Sequence, residues 1–124
     1  MRLDREMRGS GPTISGIVER GFRVDDGVYE GLTITPERAD GWSPPPIEAL
    51  GERDLSALLS LDPQPEFILL GTGNDLVRPP RALVAALEAK GIGIEPMDSR
   101  AAARAWGVLR SEQRWVAGAL YPLD

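Results

Sequence analysis

Two periods of hydrophobic residues organise the second half of the chain. "FILL", Phe67 to Leu70, is four apolar residues in a row, as expected of a short central strand covered on both faces. In "RPPRALVAALEAKG", Leu83, Val84 and Leu87 share one helical face, with prolines at the start, Lys90 in the last turn and Gly91 just beyond. "IGIEPM" predicts a second strand. Ser99 is placed to cap a third helix with Ala102, Ala105, Trp106 and Leu109 as its buried stripe, and "WVAGALY" predicts a last strand. Strands separated by single helices imply parallel pairing through right-handed crossovers.

The first half reads differently. "FRVDDGVYEGLTIT" predicts two strands around Asp25-Asp26-Gly27, where Asp-Gly supplies the positive φ of a tight hairpin. After the turn Val28, Leu32 and Ile34 share one parity, broken by Glu30, which predicts one half-buried antiparallel strand. "RADGW" adds a short third piece that ends at Ser43 to Pro46. "RDLSALLSL" places Leu55, Leu58 and Leu59 on one helical face, and "DPQP" stops it. Residues 1–13 are polar, with Gly9, Gly11 and Pro12, and are expected to form a mobile tail ahead of a single domain over 14–124. The expected fold is therefore α/β: a single three-layer domain with a mixed sheet, a β-rich first half and a β-α-β-α-β second half.

Length and composition narrow the chemistry. The 124 residues suit one domain with one modest core. There is no cysteine and no histidine, which excludes disulfides, Cys/His metal sites and catalysis by Ser–His–Asp or Cys–His sets. A net charge of −5 speaks against nucleic acid as a partner, since such binders present a basic surface. Basic residues are nearly all arginine, Lys90 being the one lysine, as codon bias in a GC-rich genome or a functional arginine cluster would give. "MRLDREMRGSGPTISG" is too charged for a signal-peptide core, and no stretch approaches the roughly 18 apolar residues of a membrane span. A cytoplasmic protein is expected, with room for a peripheral association with the inner membrane.

The one stretch resembling a ligand loop is "LLGTGND", residues 69 to 75. A dinucleotide fingerprint needs a third glycine where Leu76 stands, and a Walker loop needs Gly-Lys-Ser/Thr. Pro79 and Pro80 remove two N–H donors from the following helix start, and Asp75 repels a phosphate. Gly71-Thr72-Gly73 thus reads as a strand-ending turn. It can still line a crevice with Ser99 and Arg100, Arg78 or Arg81, able to hold a carboxylate or phosphate. Asp98 suits a helix N-terminus for dipole reasons, Asp25-Asp26 suits a turn, and Arg100 and Arg104 lie opposite the apolar stripe. Trp106 falls on the buried stripe, whereas Trp42, beside the triple proline, is the tryptophan expected to be exposed as an interface anchor.

Taken in order, "FRVDDGVYEGLTITP…GW", "ILLGTG", "GIGIEPMDS" and "AARAWGVLRSEQRWVAGALYP" resemble the Mth-type domain family of uncharacterised proteins. That family includes the mitochondrial complex I assembly factor three, and the resemblance runs over residues 14–122. The matching positions are Gly71, Thr72, Gly73, Gly91, Ile92, Glu95, Met97, Asp98, Ala102, Leu109, Glu112, Arg114, Val116 and Ala117. Two places depart: Ser99 stands where threonine is frequent, and Ala105-Trp106-Gly107 where Thr-Tyr-Asn is common. The second change removes polar groups that a shared active site would use.

The resemblance implies a three-layer α/β fold with a mixed sheet and no established enzymatic activity. It also implies other proteins as partners, such as subunits or assembly proteins of the respiratory NADH dehydrogenase. No catalytic residue, cofactor or metal is expected. The expected partner surface comprises Gly71, Thr72, Gly73, Asn74, Asp98, Ser99, Arg100 and Trp42. The alternative is a small anionic-metabolite binder, or a carboxylate-based enzyme, working in the crevice at the strand C-terminal ends. A homodimer joined through the tryptophans is a third option.

Overall fold

The computed structural model describes residues 11–124. Most of the tail expected over 1–13 therefore lies outside the described residues. At its end Pro12 is buried, and its C=O accepts a hydrogen bond from Trp106 Nε1 at 3.1 Å.

Strands β1 (Ile14–Val18), β2 (Gly21–Val24) and β3 (Gly27–Tyr29) form a small antiparallel sheet. A larger mixed sheet contains β4 (Leu32–Ile34), β5 (Ala39–Gly41), β6 (Phe67–Gly71), β7 (Gly93–Met97) and β8 (Ala117–Leu120), in the order β5-β4-β8-β6-β7. Its β6–β7 and β6–β8 pairs are parallel, whereas β4 is antiparallel to both β5 and β8. The helices are α1 (Ser56–Leu59), entered through a 3-10 turn at Glu52–Leu55, α2 (Arg81–Ala89) and α3 (Ser99–Ser111).

Alternation along the central strands divides the interior in two. Leu69 and Leu120 face α3 and the small sheet, where they meet Phe22, Leu32, Ile34, Ala102 and Trp106. Ile68, Leu70, Ala117 and Ala119 face the other way, onto Leu55 and Leu58 by α1 and Leu83 and Leu87 of α2. This is the expected three-layer α/β domain. The run "FILL" forms the strand between β8 and β7, with Ile68, Leu69 and Leu70 buried on both faces.

Several local expectations are corrected. The stretch after the first hairpin is two strands rather than one half-buried strand. It breaks at Glu30-Gly31, leaving Val28 exposed in the small sheet while Leu32–Ile34 enters the large one. There β4 is buried throughout, Thr33 included, because the small sheet covers one face and α1 the other. The positive φ of the hairpin belongs to Asp25, at 52°, and Gly27 is the first residue of β3. Strand β1 had no sequence signal of its own, since Ser15 and Gly16 interrupt its apolar residues. In α3 the fully buried positions are Ser99, Ala102, Ala103 and Trp106, whereas Ala105 and Leu109 are only half-buried. Those two lie on the flank that faces β7, where the described residues leave a groove.

Candidate functional site: a closed turn and an open edge

The glycine turn is a knot of hydrogen bonds joining three returning segments. Gly71 ends β6, and its C=O accepts from the Tyr121 N–H at 2.9 Å. The Thr72 N–H donates to the Met97 C=O at 2.8 Å. The Gly73 N–H donates to Ser99 Oγ at 2.8 Å, and the Ser99 N–H returns to the Gly73 C=O at 2.8 Å. Ser99 Oγ in turn donates to the Tyr121 C=O at 2.8 Å. Thr72 Oγ1 accepts from the Val77 N–H at 3.0 Å and donates within the same turn to the Asp75 C=O.

Two glycines are dictated by this geometry. A Cβ on Gly71 would stand 2.8 Å from Ser99 Oγ and 3.0 Å from Ser99 Cα, so the start of α3 can approach β6 only over a bare backbone. Gly73 has φ +100°, which side chains rarely adopt. The N–H groups of Thr72, Gly73 and Ser99 and the hydroxyls of Thr72 and Ser99 are therefore occupied within the chain.

Ser99 was expected to cap α3, but the cap is Asp98. Its Oδ1 accepts from the Ala101 N–H at 2.9 Å, which satisfies an otherwise orphaned donor. Ser99, the first helical residue, is fully buried and turned inward. Among the expected surface residues, the structure brings Gly71, Thr72, Gly73 and Ser99 together. Asn74 lies at the rim, where its Oδ1 accepts from the Asp124 N–H at 3.0 Å. Arg100 is exposed on α3.

Trp42 is not an exposed anchor. It is half-buried and packs edge-on to Tyr121, with ring centroids 5.2 Å apart, and its Nε1 donates to the Asp54 C=O at 3.1 Å. The Tyr121 hydroxyl donates to the Pro45 C=O at 2.7 Å. Burial, aided by Asp54 and Glu48, pushes its pKa up to about 12. Trp115 is half-buried too, with Nε1 on the Pro63 C=O.

What the turn does expose is apolar. Leu76 is 60% and Val77 40% exposed on the loop that leads to α2, and neither belongs to the partner surface expected from the sequence. Among the described residues, no group of three or more acidic, Cys or His side chains is placed to hold a metal ion.

The open spaces lie elsewhere, one on each face of the edge strand β7. A cavity of about 620 Å³ separates α2 from β7, floored by Val84, Ala85, Ile94 and Pro96, with Arg78 and Arg81 among its lining residues. A second, of about 420 Å³, runs between β7 and the uncovered flank of α3, where Val108 is 57% exposed. No helix among the described residues is long and apolar enough to cross a membrane.

This three-layer domain, with its mixed five-stranded sheet, is the fold shared by one family of proteins. Residues 14–121 match the family described as protein of unknown function DUF498/DUF598, and the chain belongs to that family. An uncharacterized protein of Rhodobacter capsulatus is 40% identical over 103 residues, covering 82% of this chain and 77% of that protein. The NADH dehydrogenase [ubiquinone] 1 alpha subcomplex assembly factor 3 of Danio rerio is 29% identical over 114 residues. That match covers 91% of this chain, which thus spans 66% of the assembly factor's length.

Two solved structures share the fold. A Bordetella pertussis protein described as a Mth938-like domain has a TM-score of 0.75 at 24% identity, over 90% of this chain and 85% of that one. An outer membrane protein from Bartonella henselae has a TM-score of 0.82 at 30% identity, over 94% of this chain and 98% of that one.

Proposed function

We propose that this chain is a non-enzymatic protein-binding helper that acts during assembly of the respiratory NADH dehydrogenase. The observation that carries this reading is the inversion at the glycine turn. The Thr72 and Gly73 N–H groups and the Thr72 and Ser99 hydroxyls are engaged inside the fold, while Leu76 and Val77 stand exposed beside them. Such a surface has little to offer a small polar ligand and more to offer the apolar side chains of another protein. The relationship to assembly factor 3 supplies the process. The working compartment is the cytoplasm, at the inner membrane surface while assembly proceeds.

The test is a pull-down of tagged protein at native expression from detergent-solubilised cells, read by mass spectrometry. NADH dehydrogenase subunits or their assembly proteins are expected in the eluate, and Leu76→Glu should deplete them. Wild-type levels and activity of the NADH dehydrogenase in a clean deletion strain would overturn the reading.

A second reading, binding of a small anionic metabolite, draws on the cavity beside α2. There Arg78 and Arg81 lie along an apolar floor and form no ion pair among the described residues. It predicts a thermal shift with an anionic metabolite that is lost when both arginines become alanine. A broad metabolite screen without any shift removes it.

A further inference from the structure

Among the described residues, strand β7 ends the large sheet without a neighbour on its outer side, and what lies along that edge is selective. The Gly93 N–H donates to the Glu66 C=O, and the Met97 C=O accepts from the Thr72 N–H. In a parallel ladder the backbone groups of alternate residues turn to opposite sides, so Ile94 and Pro96 face outward. Pro96 has no N–H. A strand added along this edge would therefore forgo the ladder bond at Pro96, which disfavours extension of the sheet.

The groove beside this edge has a different character. It is lined by Phe67, Leu69, Met97, Ala105, Val108 and Leu109, and among the described residues Glu95 is its only charged lining residue. A small-molecule site of this volume ordinarily holds a few converging polar groups that orient its ligand. Here there is one carboxylate on an apolar wall, which suits a row of apolar side chains better than a single metabolite.

Charge narrows the occupant further. At the Phe67 end, Arg114 is paired with Glu66 at 2.7 Å, and its guanidinium carbon lies 5.9 Å from the centre of the Phe67 ring. That cation is already neutralised. Glu95 is exposed and forms no ion pair among the described residues. The groove lining itself thus carries one unpaired carboxylate and no cation among the described residues, on a chain whose net charge is −5. A second copy docked about a two-fold axis would bring like charges together, whereas a basic segment would compensate Glu95.

We infer that the groove between β7 and α3 is the docking site for an amphipathic helix of a partner protein, with apolar anchors every three to four residues and a basic flank. This deepens the helper reading and rests on it. Its direct test uses purified protein and two labelled synthetic helices of about five turns. They share a leucine stripe and differ in flanks, lysine in one and glutamate in the other, and binding is read by fluorescence anisotropy.

The lysine peptide should bind saturably and the glutamate peptide more weakly. Val108→Glu, at an exposed position that the fold tolerates, should weaken the lysine peptide at least about tenfold. Glu95→Gln should reduce the preference for lysine by up to about fivefold. Equal binding of the two peptides overturns the inference, as does binding that Val108→Glu leaves intact. Light scattering that shows a dimer dissolved by Val108→Glu assigns the groove to a second copy and also overturns it.

The pull-down separates this inference from the broader reading. If the Val108→Glu protein recovers the wild-type set of NADH dehydrogenase subunits, the groove fails while the helper reading stands. If wild type recovers none yet the lysine peptide binds at Val108, the helper reading fails and the groove stands.

Discussion

The glycine turn and the β7 edge both adjoin β6, and they are built on opposite rules. At the turn, β6, α3 and the chain after β8 converge so closely that the Thr72 and Gly73 N–H groups and the Ser99 and Thr72 hydroxyls are engaged. At the edge, layers on both faces stop short and leave cavities of about 620 and 420 Å³. The stretch that looks like a ligand loop is the most tightly tied, and the open ground lies among residues that look like core. A glycine-rich turn is therefore poor grounds for a ligand until its donors have been shown free.

Substitution separates the two regions by their effect on stability. Gly71→Val should have the largest effect, because the Cβ alone would stand 2.8 Å from Ser99 Oγ and 3.0 Å from Leu120 Cγ, before the branch is added. Overpacking there should remove about 3 kcal/mol and lower Tm by roughly 10 °C, as measured by denaturant and thermal unfolding. A loss below about 1 kcal/mol would mean that the turn relaxes easily and is not the rigid junction described above. Ser99→Ala comes next. It strands the Gly73 N–H and the Tyr121 C=O, both partnered by Ser99 Oγ, and should cost about 2 kcal/mol with no change in partner capture.

Tyr121, one residue beyond β8, sharpens the comparison through pH. Burial raises its folded pKa to about 12 from an ordinary 10, so its protonated form is favoured by folding. The associated stability is complete below pH 10 and is lost as pH rises through the folded pKa near 12. Tyr121→Phe should cost about 1 kcal/mol at neutral pH, through loss of the bond to Pro45, and should flatten the alkaline slope. An unchanged slope would show that another group carries it. The smallest effect belongs to the open edge. Val108→Glu should alter stability by less than about 0.5 kcal/mol while weakening peptide capture at least about tenfold. A large loss of stability there would mean that Val108 is part of the core and the groove is closed.

Much of the architecture was legible in the sequence, wherever burial follows a local period. The unbroken run at Phe67–Leu70 marked the central strand, and the proline-to-glycine frame marked α2, which closes with the Ile92 N–H on the Leu87 C=O. Errors fell where the long-range partner decides the outcome. Val28, Leu32 and Ile34 share a parity, yet two different sheets claim them. Asp98 and Ser99 are equally able caps by residue type. Ser99 is diverted because Gly73 and Tyr121, 26 and 22 residues away in sequence, present a donor and an acceptor to it. Trp42 looked exposed beside its prolines because nothing local announces that Tyr121 returns to cover it.

The sequence by itself determined the class of fold, the order of the second-half elements and the absence of thiol and imidazole chemistry. Those follow from composition and from periods of two and 3.6 residues, which a chain carries locally. Tertiary structure alone decided which donors were occupied, which tryptophan was covered and where the sheet was left open. Each depends on a hydrogen-bond partner or a covering layer supplied by a distant segment, and no local pattern encodes that arrival.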